Sequence, residues 1–300
     1  MVSHEPLHHS APSTTQQPQI VLRNRYRVGA LIGHGGLSSV FRARDEFLGR
    51  DVALKIFRAS ASAEHDFKQQ EDEVNTLAGL SHPYLVTLFD AAVDRSGSAP
   101  RIFYAMELVE GRDLKHRLDA GLVSPRQTAQ LGFHVASALE YVHDRGIVHR
   151  DVKPANVLVR GADGDSAVTA KLGDFGIAAH RPEPVGRGER VSGTIAYFSP
   201  EQARGEAVTA ASDLYSLGLV LLECFTRELA FPGQPNESAA ARLAYDPAIP
   251  DSVPADWVPL LRGMTERDPA NRPTTRDVAV ELRSMIQSET GRHRAGRPVD

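Results

Sequence analysis

The chain has little of several features that mark specialised classes of protein. Its 300 residues contain a single cysteine, Cys224, which excludes an internal disulfide framework and indicates a reducing compartment. No apolar run approaches the roughly 18 residues that cross a bilayer, and the N-terminus lacks the layout of a signal peptide. A formal charge of -4 favours neither nucleic acid nor an anionic membrane. These absences predict a cytoplasmic globular protein with no nucleic-acid partner and no membrane segment.

The first part of the folded region has the pattern of a small antiparallel sheet. From Tyr26 onward, apolar residues recur with a period of two and are interrupted by a glycine-rich turn. A helical pattern follows over 63–80. Two further strands are then predicted, at 85–89 and at 102–106. We therefore predict a first lobe at 24–107 that is mostly sheet, with one helix.

The rest of the folded region has a helical pattern. Beyond Gly111 apolar residues recur at helical spacing, and 214–225 is apolar almost all the way round, as in a helix buried within a domain. We predict a larger, mainly helical lobe at 108–288 and an α+β fold for the chain. Residues 1–23 are rich in Pro, Ser, Thr and Gln, and residues 289–300 are basic, so both ends are predicted to be flexible tails.

A glycine-rich segment separates the first two predicted strands. Gly33, Gly35 and Gly36 would let backbone N–H groups approach a phosphate chain without an intervening side chain. The segment leads into another strand at 39–41 and not into a helix, which favours a flap over a nucleotide rather than a dinucleotide-binding loop. Taken alone, it fits an ordinary hairpin turn equally well.

Lys55 lies in a strand whose other residues should be largely buried, so its ammonium group requires an anion. Helical spacing after the strand places Glu73 within the apolar stripe of Val74 and Leu77. Glu73 is thus the predicted partner of Lys55. The alternatives are an edge-strand lysine that extends into solvent and an exposed helical glutamate.

The most specific signal consists of two motifs, Ile147-Val-His-Arg-Asp-Val-Lys-Pro-Ala-Asn-Val-Leu158 and Lys171-Leu-Gly-Asp-Phe-Gly176. Strand-like residues in each motif are joined across a turn signal at 161–164, so they predict an antiparallel hairpin. Antiparallel pairing returns the chain to its starting point, which brings Asn156 and Asp174 to the same end of the ribbon. Two hard oxygen ligands in this arrangement suit magnesium that also holds the phosphates of ATP.

Two further residues of the first motif have a predicted chemical role. Asp151, five residues before Asn156, is placed to accept or orient the proton of a substrate hydroxyl. Lys153 adds positive charge beside the phosphoryl group during transfer. Taken singly, Asp151 fits a turn, Asn156 a strand cap and His149 a packed core residue, but the combination favours phosphoryl transfer.

With these motifs in the expected order, the chain resembles the eukaryotic-like serine/threonine protein kinases of bacteria over roughly 24–287. The resemblance implies transfer of the γ-phosphoryl group of ATP to Ser or Thr hydroxyls of proteins, this chain included, with Mg²⁺ or alternatively Mn²⁺. It also implies these ATP-binding residues: Ile32, Gly33, His34, Gly35, Gly36, Leu37, Ser38, Val40, Ala53, Lys55, Glu73, Met106, Glu107, Val109 and Leu158.

The resemblance assigns further roles. Asp151 is the catalytic aspartate, with Lys153 and Lys55 beside the phosphates, and Asn156 and Asp174 are the metal ligands. Residues with regulatory roles are Arg150, the pair Phe175 and Gly176 at the start of the activation segment, Ser192 and Thr194. Glu201 belongs to the closing motif of that segment, Ser199-Pro200-Glu201, and Arg272 is its predicted ion-pair partner. Asp213 would brace the catalytic loop at 149–156 or, alternatively, only cap a helix.

The same comparison indicates the acceptor class. Lys153 and the pair Gly193-Thr194 resemble the pattern of serine/threonine kinases rather than tyrosine kinases. Ser38 stands where the glycine loop often has a third glycine, a substitution that bacterial members commonly show. The predicted acceptor is therefore a serine or threonine of a protein.

The segment between 176 and 199 raises a question about activation. Its only serine and threonine residues are Ser192 and Thr194, whereas the resemblance assigns Arg150 to a phosphate from further upstream. We hypothesise that activation depends on phosphorylation of Ser192 or Thr194, on homodimer contacts, or on a fixed carboxylate such as Glu189. The alternative is that Thr194 belongs only to the substrate pocket.

Two other functions share this fold. A pseudokinase that acts as a scaffold usually lacks the strand lysine or a catalytic or metal aspartate, but Lys55, Asp151 and Asp174 are all present. A phosphotransferase for a small molecule, such as an aminoglycoside or choline, lacks the peptide-docking segment predicted here at 191–204. Both alternatives are less consistent with the sequence than a protein kinase.

Overall fold

The structure is a computed structural model that describes residues 20–35, 38–57, 74, 77–97, 100–121, 123–161, 167–174 and 195–295, with side chains as far as 288. Most of the helix predicted over 63–80 lies outside these residues. The predicted site residues outside them are Gly36, Leu37, Glu73, Phe175, Gly176, Ser192 and Thr194, together with Glu189.

The first lobe contains a six-stranded antiparallel sheet with the order β1-β2-β3-β4-β6-β5. Period-two alternation places Val52 and Leu54 in its core with Phe103 and Ala105, as the sequence predicts. The strands are β1 (Val21–Leu22), β2 (Tyr26–His34), β3 (Ser38–Asp45), β4 (Arg50–Phe57), β5 (Leu88–Asp94) and β6 (Arg101–Glu107).

Two strand boundaries differ from the prediction. The short strand β1 falls within the segment predicted to be a tail, because Leu22 is fully buried in the sheet core and pairs with Tyr26. Two residues are too few to show a period. The strand predicted at 85–89 begins only at Leu88, because Leu85 and Val86 pair instead with Leu172 of the second lobe.

The second lobe is mainly helical and contains a three-stranded sheet with the order β7-β8-β9. Its strands are β7 (Arg112–Asp113), β8 (Val157–Arg160) and β9 (Thr169–Leu172), and its helices are α1 (Leu114–Ala120), α2 (Pro125–His143), α3 (Pro200–Arg204), α4 (Ala210–Thr226), α5 (Pro235–Ala244), α6 (Val258–Met264) and α7 (Thr275–Ala295), with 3₁₀ turns at Pro154–Asn156 and Pro269–Asn271.

Helix α7 extends beyond the predicted boundary at 288 to Ala295, although the sequence from Thr290 was predicted to be unstructured. Gly291 costs a helix only about 1 kcal/mol relative to alanine, and the residues after it include good helix formers. A basic composition therefore did not end the helix.

Helix α4 is the centre of the second lobe, as the sequence predicts. Leu214, Leu217 and Leu221 belong to the same core as Leu139 of α2. The two helices approach closely at Gly132, where an added Cβ would lie 3.0 Å from a Leu221 methyl carbon. In the described part of the chain, no helix combines the length and apolar character that crossing a bilayer requires.

The outer edge of β9 is covered by polar side chains of α2. The Gln130 Oε1 atom accepts a hydrogen bond from Val168 N at 3.0 Å, and His134 Nδ1 accepts one from Ala170 N at 3.2 Å. Burial lowers the pKa of His134 to about 4, which keeps the imidazole neutral and able to accept. These contacts fix the strand that leads to Asp174.

Candidate active site

Lys55 and Asp174 join the two lobes at the proposed site. The Lys55 Nζ atom in β4 donates to Asp174 Oδ1 at 2.8 Å, although the two residues are 119 positions apart. The lysine side chain is only 18% exposed, and a largely buried ammonium group requires an anion. The Asp174 carboxylate supplies that anion. The partner found among the described residues is Asp174, whereas the predicted partner Glu73 lies outside them.

Strands β8 and β9 form the predicted hairpin. Val157 pairs with Leu172, so Asn156, which precedes β8, and Gly173, which follows β9, are neighbours. Gly173 N donates to Asn156 O at 2.9 Å, and Asn156 Nδ2 lies 3.5 Å from Asp174 O. The ribbon thus brings Asn156 and Asp174 to one end.

The backbone of Asp174 is itself unusual. Its φ of 53° lies in the left-handed region, which non-glycine residues rarely adopt and which is often found at functional sites. The hydrogen-bonded ribbon on one side and the ion pair to Lys55 on the other hold this conformation.

The Asp151 carboxylate is held in place by two residues of its own loop. Lys153 Nζ donates to its two oxygens at 2.9 and 2.8 Å, and Asn156 Nδ2 donates to Oδ2 at 3.0 Å and to the main-chain oxygen at 2.8 Å. The predicted catalytic residues Asp151 and Lys153 are therefore in contact, and Asn156 connects them to Asp174.

These contacts also bear on whether a metal would fit. The Asn156 amide nitrogen donates to Asp151, so its oxygen is the atom left for a cation. Asp174, whose main-chain oxygen lies 3.5 Å from the same nitrogen, contributes a carboxylate. Magnesium prefers hard oxygen donors of this kind, completed by phosphate oxygens and water. The donor set therefore fits magnesium.

Asp213 accepts hydrogen bonds from the backbone of the predicted catalytic loop, just before Asp151. Its carboxylate, on the first turn of α4, accepts from His149 N at 2.8 Å and from Arg150 N at 2.7 Å. Arg150 itself has a left-handed φ of 68°, directly after the two N–H groups that share this acceptor. The N-cap of α4 is Thr209, so Asp213 is not merely a cap.

His149 links the loop to the strand before Asp174. Its side chain is fully buried, and burial lowers its pKa and keeps the ring neutral. One ring nitrogen is within hydrogen-bond distance of Gly173 O at 3.1 Å, and the other accepts from Asp151 N at 3.3 Å. A neutral ring with the proton on Nε2 satisfies both contacts.

The sequence interpretation missed His143, the last residue of α2. Its Nε2 atom lies 2.8 Å from Asp213 Oδ2, and its Nδ1 atom lies 2.9 Å from Thr275 Oγ1. The available signal was its spacing of four from the buried Leu139, which places both residues on one helix face. His143 thus ties α2 and α7 to the acceptor of the catalytic loop.

The structure describes most residues of the predicted glycine loop, between β2 and β3, and several predicted ATP-binding residues of β4, β6 and β8. Gly33 pairs with Val40, and Gly35 N donates to Ser38 O at 2.9 Å, which closes the turn. Ile32 and His34 are exposed on β2, and Ala53 of β4 pairs with Met106 of β6. A cavity of about 540 Å³ is lined in part by Leu158 and by Glu107 and Val109 of the hinge, the segment 107–109 between the lobes. Lys55, Asp151 and Asp174 do not line this cavity.

Lys171 is a second residue that the sequence interpretation did not select. Its Nζ atom donates to Glu107 Oε2 at 2.8 Å and to Leu85 O at 3.3 Å. The Glu107 carboxylate also accepts from Thr87 N at 3.3 Å. Lys171 and Glu107 therefore form a polar contact that joins three parts of the chain. These are the hinge, the segment before β5 and strand β9, which leads to Asp174.

The closing motif contains the ion pair that the sequence predicts. Arg272 donates to the two Glu201 oxygens at 2.7 and 2.9 Å, and Ser212 Oγ donates to the same carboxylate at 2.6 Å. Burial alone would raise the pKa of Glu201, but the hydrogen bonds from Arg272 and Ser212 outweigh it and lower the pKa to about 2. Ser199 caps α3, together with Gln202.

Comparison with known proteins identifies the class. Residues 26–282 match the protein kinase domain, so the chain belongs to the protein kinase family, as the sequence predicts, and the two-lobed fold agrees. Among its relatives, the serine/threonine-protein kinase PknB of Mycolicibacterium smegmatis is 38% identical over 274 residues, which cover 88% of this chain and 43% of that protein.

Two further relatives are also bacterial. The serine/threonine-protein kinase PknB of Mycobacterium tuberculosis is 36% identical over 277 residues, covering 88% of this chain and 43% of the relative. The probable serine/threonine-protein kinase PknB of Corynebacterium glutamicum is 38% identical over 247 residues, covering 80% and 37%. The chain thus spans less than half the length of these relatives.

Proposed function

We propose that this chain is the catalytic part of a bacterial serine/threonine protein kinase, which transfers the γ-phosphoryl group of ATP to Ser and Thr hydroxyls of proteins, including its own. One observation carries the proposal. Lys55, Asp174, Asn156 and Asp151 form a continuous series of contacts across the interlobe cleft. Family membership and the named relatives support the same activity.

The chain's own residues supply positioning and charge for the reaction. Asp151 orients the acceptor hydroxyl and takes its proton as the oxygen bonds to the γ-phosphorus and the bond to the β-phosphate oxygen breaks, releasing ADP. Lys153, held at the Asp151 carboxylate, places positive charge near the group in transfer. Lys55 binds the α- and β-phosphates and so fixes the nucleotide.

We assign Asn156 and Asp174 as the residues that would hold magnesium, or alternatively manganese. When bound, such a cation neutralises charge on the phosphates. Lys55, which contacts the Asp174 carboxylate, would also contact the phosphates. By the family resemblance, the adenine would lie between Ala53 and Leu158, beside the hinge residues Glu107 and Val109, and the last three of these residues line the cavity.

Several roles complete the proposal. Asp213, Glu201 and Arg272 maintain the catalytic loop and the closing motif, and Arg150 would receive a phosphate or carboxylate from the activation segment. Phosphorylation of Ser192 or Thr194, or contacts in a homodimer, remain the hypotheses for activation. A cytoplasmic location and the exclusion of nucleic acid as a partner remain predictions.

A protein acceptor is favoured over a small molecule by the segment at 195–204. Tyr197 Oη donates to Glu223 at 2.6 Å, and Ser216 Oγ donates to Tyr197 O at 2.7 Å, so side chains of α4 anchor this segment. A firmly held surface beside the catalytic loop suits an extended peptide.

A radiolabel assay tests the proposal. The wild-type chain, Lys55→Met, Asp151→Asn and Asp174→Ala would each be incubated with ATP and a basic protein acceptor, with magnesium or with a chelator. Only the wild type with magnesium should transfer phosphate efficiently, whereas Asp151→Asn should still bind ATP. Transfer to an aminoglycoside or choline but not to protein, or full activity of Asp174→Ala, would contradict the assignment.

Activation can be tested in the same preparation. Mass spectrometry of the self-phosphorylated protein should find phosphate on Ser192 or Thr194. Full activity of the double variant Ser192→Ala, Thr194→Ala would exclude the phosphorylation hypothesis and leave the homodimer and the fixed carboxylate.

A further inference from the structure

Arg242 of α5 is a fully buried cation. In the part of the chain that the structure describes, no carboxylate forms an ion pair with it, and its guanidinium lies 5.0 Å from the centre of the Phe231 ring. Burial lowers its pKa to about 10, so it is still charged at neutral pH. A buried charge of this kind must be offset by hydrogen bonds.

The hydrogen bonds of Arg242 run to its own helix and to one short segment. Within α5 it donates to Ser238 O at 3.0 Å and to Ser238 Oγ at 2.6 Å. Outside α5 it donates to the carbonyl oxygens of Ala196, at 3.3 Å, and Phe198. Hydrogen bonds with a charged donor are stronger than neutral ones, so the segment 196–198 is held firmly.

The carbonyl between these two is also held by a side chain. Ser216 Oγ of α4 donates to Tyr197 O at 2.7 Å. Three consecutive carbonyl groups are thus fixed by side chains from α4 and α5. Regular secondary structure would normally satisfy such groups, so side-chain donors at all of them specify the position of this segment.

The segment lies beside the catalytic loop. It continues into Ser199 and α3, where Gln202 Nε2 donates to Arg150 O at 3.2 Å. Arg150 immediately precedes Asp151 in the sequence. The hydrogen bond from Gln202 thus ties the helix that follows the segment 196–198 to the residue before Asp151, and a peptide that presents its hydroxyl to Asp151 would pass near this junction.

We propose that Arg242 is a positioning residue that holds the segment 196–198 as a docking surface for the protein acceptor and thereby sets the affinity for that acceptor, but not for ATP. The inference rests on the proposed function. Arg242 does not touch Lys55, Asp174 or Asn156 by any contact in the described residues, so its effect on nucleotide binding should be small.

Arg242→Met tests the inference because it retains a long side chain and removes every donor. We expect the KM for a peptide acceptor to rise at least about tenfold, since hydrogen bonds with a charged donor are lost. The dissociation constant of a fluorescent ATP analogue should stay within about twofold of wild type. Amide hydrogen exchange at 195–199 should accelerate, while exchange in α2 is unchanged. Arg242→Lys, which keeps the charge, should show smaller effects.

Arg276→Met is the matched control, since that arginine is 72% exposed and pairs only with Glu140 among the described residues. It should match wild type in every measurement. Wild-type peptide KM and wild-type exchange at 195–199 in Arg242→Met would overturn the inference while the kinase assignment stands. If the wild type phosphorylates no protein, the proposed function fails, and with it the acceptor role of Arg242.

A second variant covers the case in which Arg242→Met does not fold. Ser216→Ala removes the hydrogen bond to the Tyr197 carbonyl and leaves the buried Arg242 in place. It should raise both the peptide KM and the exchange rate at 195–199. If exchange at 195–199 accelerates in Ser216→Ala but its peptide KM matches wild type, the segment does not set acceptor affinity and the inference is overturned.

Discussion

The ion pair between Glu201 and Arg272 allows a quantitative prediction about stability. The Glu201 pKa falls from its ordinary value of 4.5 to about 2 on folding, despite burial, because Arg272 and Ser212 donate to the carboxylate. A lowered pKa in the folded state means that the charged form stabilises the fold above pH 4.5, and that this contribution is lost as the pH falls towards 2. At about 1.36 kcal/mol for each pH unit, the contribution at neutral pH is about 3 kcal/mol.

Glu201→Gln should therefore be destabilised by about 3–5 kcal/mol at pH 7, because the Arg272 guanidinium stays buried without its anion. The deficit relative to wild type should shrink as the pH falls and be about half as large near pH 3, between the two pKa values. The free energy of unfolding can be followed by the fluorescence of Trp257, the single tryptophan, which packs on Phe225 in the second lobe.

Two comparisons make this test specific. Asp246→Asn breaks an exposed pair with Arg267 and should cost less than about 1 kcal/mol. Adding Arg272→Met to Glu201→Gln should recover part of the loss, since no unpaired charge is then buried. Wild-type stability of Glu201→Gln at pH 7, or a deficit that is unchanged at pH 3, would refute the reasoning.

Three other substitutions have expected outcomes. Asp213→Asn should lower kcat at least about tenfold with a smaller change in the KM for ATP, because two N–H groups of the catalytic loop lose their anionic acceptor. Steady-state kinetics measures both constants, and equal changes in kcat and KM would contradict this prediction. Gly218→Ala should lose about 1–3 kcal/mol of stability, since its Cβ would lie 2.9 Å from Thr265 Cγ2. Leu139→Ala should lose about 2–5 kcal/mol, and a wild-type denaturation midpoint in either would be inconsistent with the packing.

Much of the fold was predictable because periodicity reports burial directly. Val52 and Leu54 recur with a period of two in β4 and both lie in the core of the first lobe, and the apolar run of α4 is the core of the second lobe. The ends of the fold were not predictable in this way. Burial of Leu22 depends on a two-residue strand, and the length of α7 depends on helix propensity in a polar stretch.

Only part of the candidate site could likewise be predicted from local sequence. Asn156, Asp151 and Lys153 are close in the sequence, and the hairpin relates them to Asp174, so local geometry was enough to bring them together. The pairing of Lys55 with Asp174 depends on how the lobes meet, which no local pattern contains.

The missed residues have ordinary types in ordinary helices and strands. His143, Lys171, Ser216 and Arg242 would each be unremarkable on a surface, and only their tertiary contacts distinguish them. Arg242 is the clearest example, because a helical arginine is usually exposed and nothing in its sequence neighbourhood indicates full burial.

Helix α4 carries contacts for both sides of the reaction. Asp213 fixes the loop that bears the proton acceptor, Ser212 and Ser216 hold the closing motif and Tyr197, and all three residues lie within the first two turns. In the proposed reaction, one helix inside a single lobe would therefore set the distance between Asp151 and the acceptor peptide, while the first lobe makes none of these contacts.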